Sequence, residues 1–179
     1  MTNPVTLYRL EGPGGRYWCV WEYNGVVTLQ RGAAGLTTEH EELDPSNEEA
    51  LENIVDEEAQ ELLHDGFVQR EYRHPALLVV QYPAHYFSTS ETVLSTLDDV
   101  REALVRSLDE TGTGLFLGWD YSSEMTFMAY VVDAASAVDA VRRAIEETGK
   151  LRGARIGLEE EDEIRRTVWP RSEAGTVIH

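Results

Sequence analysis

His74-Pro75-Ala76-Leu77-Leu78-Val79-Val80-Gln81-Tyr82 divides the chain and sets the fold class of its second half. The residue before a proline is pushed to extended backbone, so His74-Pro75 is a natural break. The apolar run behind it has strand length and little alternation, the pattern of a buried strand. Downstream, a helix starting at Val93 or Leu94 places Leu97, Val100, Leu104 and Leu108 on one face, and Gly112 closes it. Leu115–Trp119 and Met125–Val132 read as two strands around the polar turn Tyr121-Ser122-Ser123-Glu124. A further helix is capped by Asp133, buries Val138, Val141 and Ile145, and stops at Gly149. Ala154–Leu158 and Thr167–Trp169 are late strands around the acidic turn from Glu159 to Glu163. The order β-α-β-β-α-β with one extra strand predicts a ferredoxin-like α+β domain over residues 75–171, and 172–179 reads as a flexible tail. That arrangement hosts enzymes, RNA binders, metal carriers and docking modules, so it assigns no function.

Upstream of the break, residues 1–74 read as a β-meander followed by one helix. Leu7–Leu10, Arg16–Trp21 and Val26–Leu29 are rich in aromatic and β-branched residues. Gly12-Pro13-Gly14-Gly15 and the hairpin dipeptide Asn24-Gly25 separate them. A glycine-bearing segment, Arg31 to Gly35, leads to a fourth strand, Leu36–Leu43. Ser46 with Glu49 forms a capping box for the helix, whose apolar stripe is Leu51, Ile54, Val55, Leu62 and Leu63. Gly66 ends it in a left-handed cap, and Phe67 to Tyr72 is extended.

This first half resembles a WGR domain, the small module of poly(ADP-ribose) polymerases and of many short bacterial proteins. The likeness spans residues 5–72 and rests on several segments in order: Leu7-Tyr8-Arg9-Leu10-Glu11, Tyr17-Trp18, Arg31-Gly32-Ala33-Ala34-Gly35, the 46–63 helix, and Gly66-Phe67-Val68. It implies a β-sheet packed by one helix. The family's signature turn carries an aromatic, a glycine and an arginine, and DNA-bound members use the aromatic and the arginine on nucleic acid. In this chain Arg31 stands in the aromatic position and Ala33 in the arginine position, while Gly32 and Gly35 persist with the geometric role of a positive-φ turn. Glu58, Gln60, Glu61 and His64 stand where the family's helix carries lysines. The resemblance therefore implies the fold and weakens the expectation of DNA binding.

Charge points the same way. The chain of 179 residues has a formal net charge of -18 and 42% hydrophobic residues, enough for real cores and opposed to polyanions. Between Arg31 and Arg70 there is no lysine or arginine, while Glu39, Glu41, Glu42, Asp44 and the acids of the helix crowd the same stretch. Like charges at helical spacing repel by a few tenths of a kcal/mol per pair, roughly, so such a face is a candidate docking surface. Glu49, Glu52, Asp56, Glu57, Glu58 and Glu61 are its expected partner-binding residues. The apolar runs fall short of the roughly 20 residues of a membrane span. No secretory signal is visible, so a cytoplasmic location and no membrane partner are expected.

Catalytic patterns do not emerge. His40, His64, His74, His85 and His179 are scattered, and Glu159 to Glu163 lacks the spaced ligands of a calcium loop, so no metal and no cofactor is expected. Thr111-Gly112-Thr113-Gly114 follows a helix instead of opening one, which makes it a helix stop and not a phosphate cradle. Cys19, the one cysteine, reads as a buried structural thiol. Trp119-Asp120-Tyr121, with Glu124, at a hairpin turn is a candidate aromatic anchor; the alternative is Trp119 packed into the sheet and Asp120 shaping the turn. The sequence as a whole predicts a non-catalytic, acidic, bacterial protein-binding module for a basic partner, of which an immunity protein or antitoxin is one form. A nucleic-acid-binding WGR protein is the alternative.

Overall fold

Extended aromatic and β-branched stretches broken by glycine turns become three antiparallel strands: β1 (Thr6–Glu11), β2 (Arg16–Tyr23) and β3 (Val26–Ala33). The computed structural model of the chain describes residues 6–23, 25–33, 36, 38–43, 48–70, 75–87, 89–159 and 165–170. It is mixed α+β, with two antiparallel sheets and three α-helices among these residues. The chain divides into two compact units, Met1–Arg73 and His74–His179.

In the first unit β4 (Glu39–Leu43) and β5 (Val68–Arg70) complete a sheet of order β4-β3-β2-β1-β5. Helix α1 (Glu48–His64) contributes Val55, Ala59 and Leu62 to a core of Leu10, Trp18, Leu29 and Phe67, with Tyr8, Val20 and Leu43 packed against it. Register explains the set, because Leu10 faces Trp18 and Val20 faces Leu29 on one side of the pleat. Leu63 is exposed, against its placement in the apolar stripe: it lies one residue beyond Leu62, about 100° round the helix. Ser46, and the side chains of Glu49, Leu51 and Ile54, lie outside what is described. Gly66 has φ +87 as it stops α1, and Phe67 donates its N–H to the carbonyl of Leu62. A Cβ on Gly12 would sit 2.6 Å from the Phe67 ring, so glycine is required there by close approach.

In the second unit β6 (Ala76–Tyr82) lies at the centre of the order β10-β9-β6-β8-β7. Its neighbours are β8 (Met125–Val131) and β9 (Arg155–Glu159), with β7 (Gly114–Tyr121) and β10 (Arg165–Trp169) at the edges. That central place accounts for the nearly unbroken apolar run of β6, in which Leu78, Val79 and Val80 are all buried. Helices α2 (Ser90–Thr111) and α3 (Ala134–Glu147) supply Val100, Leu104, Leu108, Val141 and Ile145 to one large core with Leu78, Val80, Tyr82, Phe127 and Ile156. Val138 is only partly buried there. Helix α2 begins earlier than its apolar periodicity, because the Thr89 hydroxyl accepts the N–H of Thr92 and caps a polar first turn, leaving Leu94 exposed. Gly112 closes α2 in the left-handed conformation, and Asp133 caps α3. No helix among the described residues is long and apolar enough to cross a membrane.

Candidate functional site

The acidic helix sorts its carboxylates by where the register puts them. Glu58 turns inward beside Ala59: its carboxylate accepts the indole N–H of Trp18 at 2.9 Å and the Arg31 guanidinium at 3.2 Å. Arg31 also reaches Glu41 on β4 at 3.1 Å, so one guanidinium joins helix and edge strand. Glu58 therefore clamps α1 to its sheet, sharing the Arg31 cation with Glu41. Asp56, Glu57 and Glu61 are exposed, and the side chains of Glu49 and Glu52 lie outside the described residues. Tyr8, edge-on to Trp18 at 5.9 Å, has its hydroxyl pKa raised by burial first and by the Asp56 carboxylate second. Glu39 and Glu42 on β4 are exposed as well.

The segment read as a signature turn is a strand. Arg31, Gly32 and Ala33 belong to β3 and continue the ladder with β2 as far as the Arg16–Ala33 pair; Ala34 and Gly35 are outside the described residues. Gly32 is not among the positive-φ glycines. It faces Tyr17, and a Cβ on it would come within 2.8 Å of the Tyr17 hydroxyl and 3.0 Å of Thr38 Oγ1. The glycine is needed for close approach, which lets Tyr17 and Thr38 hydrogen-bond to each other.

That pair belongs to a buried polar layer on the sheet face away from α1, which the sequence reading missed. Arg9 is buried, lies 4.9 Å over the Tyr17 ring, and pairs with Glu11 at 3.1 Å; Glu11 also binds Arg70 at 3.2 Å. The buried Gln30 carbonyl oxygen accepts the Trp21 indole N–H at 2.9 Å and the Cys19 thiol at 3.2 Å. Burial pushes the Cys19 thiol up to about 11, outweighing the nearby Arg9 cation, so the sulfur stays protonated at neutral pH and is a poor nucleophile. Alternation alone could have flagged the layer, since Arg9, Tyr17, Cys19, Trp21 and Gln30 all take the phase opposite to Leu10, Trp18 and Leu29.

In the second unit, Trp119 and Tyr121 are 47% and 43% exposed at the end of edge strand β7. Asp120 accepts the N–H and the hydroxyl of Ser122, at 3.3 and 2.8 Å, so it shapes the turn. A bulge between Phe116 and Gly118, with Gly118 at φ +143, shifts the register so that Trp119 faces Phe127 and Tyr121 faces Met125. An open cleft of about 190 Å³ between α2 and α3 presents Arg106, Glu110, Arg143 and Glu147. Among the described residues no group of three or more His, Cys, Asp or Glu is placed to hold a metal. Comparison with protein-family models, with curated proteins and with solved structures finds no match to this chain.

Proposed function

We propose that this acidic α+β protein is a non-catalytic docking module that presents the outer side of α1 to a basic protein partner. The observation that carries the reading is where the counter-charge goes. Each described arginine of the first unit is engaged elsewhere: Arg31 by Glu41 and Glu58, Arg9 and Arg70 by Glu11, and Arg16 over the Phe67 ring. Asp56, Glu57 and Glu61 are left exposed, Glu57 and Glu61 four residues apart on one face of α1, and a cationic surface relieves their repulsion and is steered by their field. An immunity protein or antitoxin that neutralises a cationic toxin in the bacterial cytoplasm is the form of this reading that best fits the size and charge. The first unit is read as a degenerate WGR-like domain and the second as ferredoxin-like. The one-helix sheet supports the former, and the strand order β9-β6-β8-β7 with both helices in one core supports the latter. The nucleic-acid alternative loses its best cation, because Arg31 is held by two carboxylates.

A fluorescein-labelled oligo-arginine peptide, titrated into the full chain from about 25 to about 300 mM salt, tests the mechanism. Binding is expected to weaken steeply with salt, and Glu57→Lys/Glu61→Lys to weaken it about tenfold further at low salt. Peptide affinity blind to both salt and charge reversal overturns the reading, as does tighter binding of nicked DNA than of the peptide.

A further inference from the structure

Three described aromatic rings carry an arginine over one face: Tyr17 with Arg9 at 4.9 Å, Phe67 with Arg16 at 4.8 Å and Trp169 with Arg142 at 5.6 Å. Trp119 and Tyr121 are exposed and carry none among the described residues. The surrounding sequence offers no substitute. No lysine or arginine occurs between Arg73 and Arg101 or between Arg106 and Arg142, stretches that hold β6, the start of α2, β7 and β8. Asp120 lies between the two rings in the chain and Glu124 in the turn that follows, so the charges nearest to them along the sequence are acidic.

The two rings are also held for contact. Strand alternation sets them on the same side of β7, two residues apart. Phe87 meets Tyr121 edge-on at 6.0 Å and is itself packed on Tyr86 and Tyr82, which fixes Tyr121 from behind. Beyond β7 no described strand continues the sheet. The negative face of an aromatic ring attracts ammonium and guanidinium groups, and nearby carboxylates strengthen that preference. A nucleobase also stacks on such rings, but its phosphates would meet acids where they need cations.

We infer that the Trp119–Tyr121 edge of β7 is a contact patch for a basic protein partner, taking lysine or arginine side chains on its ring faces. The inference rests on the docking function proposed above and adds a site in the second unit. Titration of the ¹⁵N-labelled full chain with the oligo-arginine peptide reads it directly through the Trp119 indole N–H, assigned with Trp119→Phe. That signal is expected to shift and saturate with the peptide. Trp119→Leu/Tyr121→Leu, which keeps apolar bulk without ring faces, is expected to lose about fivefold in affinity with the salt dependence unchanged. Wild-type affinity in that variant and an unmoved indole signal, with salt-dependent binding intact, overturn the patch and leave the α1 reading standing. Absence of any salt-dependent peptide binding overturns both. A larger indole shift with oligo-dT than with the peptide overturns the choice of partner.

Discussion

The two five-stranded sheets of this chain are stabilised by different chemistry. In the second unit, two helices and the sheet share an apolar core that includes Leu78, Val80, Val100, Leu104, Phe127, Val141, Ile145 and Ile156. In the first, the described buried set on the α1 side is Leu10, Trp18, Leu29, Ala59 and Phe67, and polar contacts supplement it on both faces of the sheet. Glu58 clamps α1 from one side, while Gln30, Arg9, Tyr17 and Thr38 fill the other. A hydrophobic core is non-directional and tolerates repacking. A buried polar layer works only if each member finds its partner. Acidity in the first unit is therefore of two kinds, one part spent inside the fold and the other left on its surface.

The largest effect is expected in the second unit. Phe127→Ala should cost about 3–5 kcal/mol, read as lost amide-exchange protection across β6 and β8. Gln30→Leu separates the two cases. It keeps apolar bulk but strands the Trp21 indole and the Cys19 thiol, so a loss of about 1–3 kcal/mol is expected in chemical denaturation. A neutral result would mean the first unit is held like the second. Gly32→Ala should cost about 1–3 kcal/mol by forcing Tyr17 and Thr38 aside, measured in the same way. Asp133→Ala is the smallest change, about 1 kcal/mol from the lost cap of α3. Hydrogen bonds from the Ser136 hydroxyl and N–H hold the Asp133 pKa below its usual value. Its contribution is thus present above the ordinary carboxylate pKa and fades as pH falls through the folded value. Wild type and variant should converge in thermal melts taken at progressively more acid pH.

The contrast also accounts for what could be read from the chain. Strands, glycine stops and the Asp133 cap are local signals, and they predicted most elements of both units. The first turn of α2 escaped because Ser90-Glu91-Thr92 is polar, with Thr89 as its cap. The bulge at Gly118 escaped because it exists only in the pairing of β7 with β8. Glu58 looked like every other acid of its helix, since its partners Trp18 and Arg31 are 40 and 27 residues away. Gly32 looked like a turn residue until register set it opposite Tyr17. Of the acidic face, only the exposure of Asp56, Glu57 and Glu61 could be anticipated from helical spacing and charge.

The division of acids within α1 is the central claim, and charge-neutral substitutions test it most directly. Peptide affinity and unfolding free energy are to be measured side by side for Glu57→Gln/Glu61→Gln and for Glu58→Ala. The first variant should keep its stability within about 0.5 kcal/mol and bind oligo-arginine more weakly. The second should lose about 1–3 kcal/mol of stability as the Trp18 indole is stranded, with binding unchanged under conditions where it is folded. The reverse pattern, with Glu58 needed for binding and Glu57 and Glu61 needed for stability, would contradict the account.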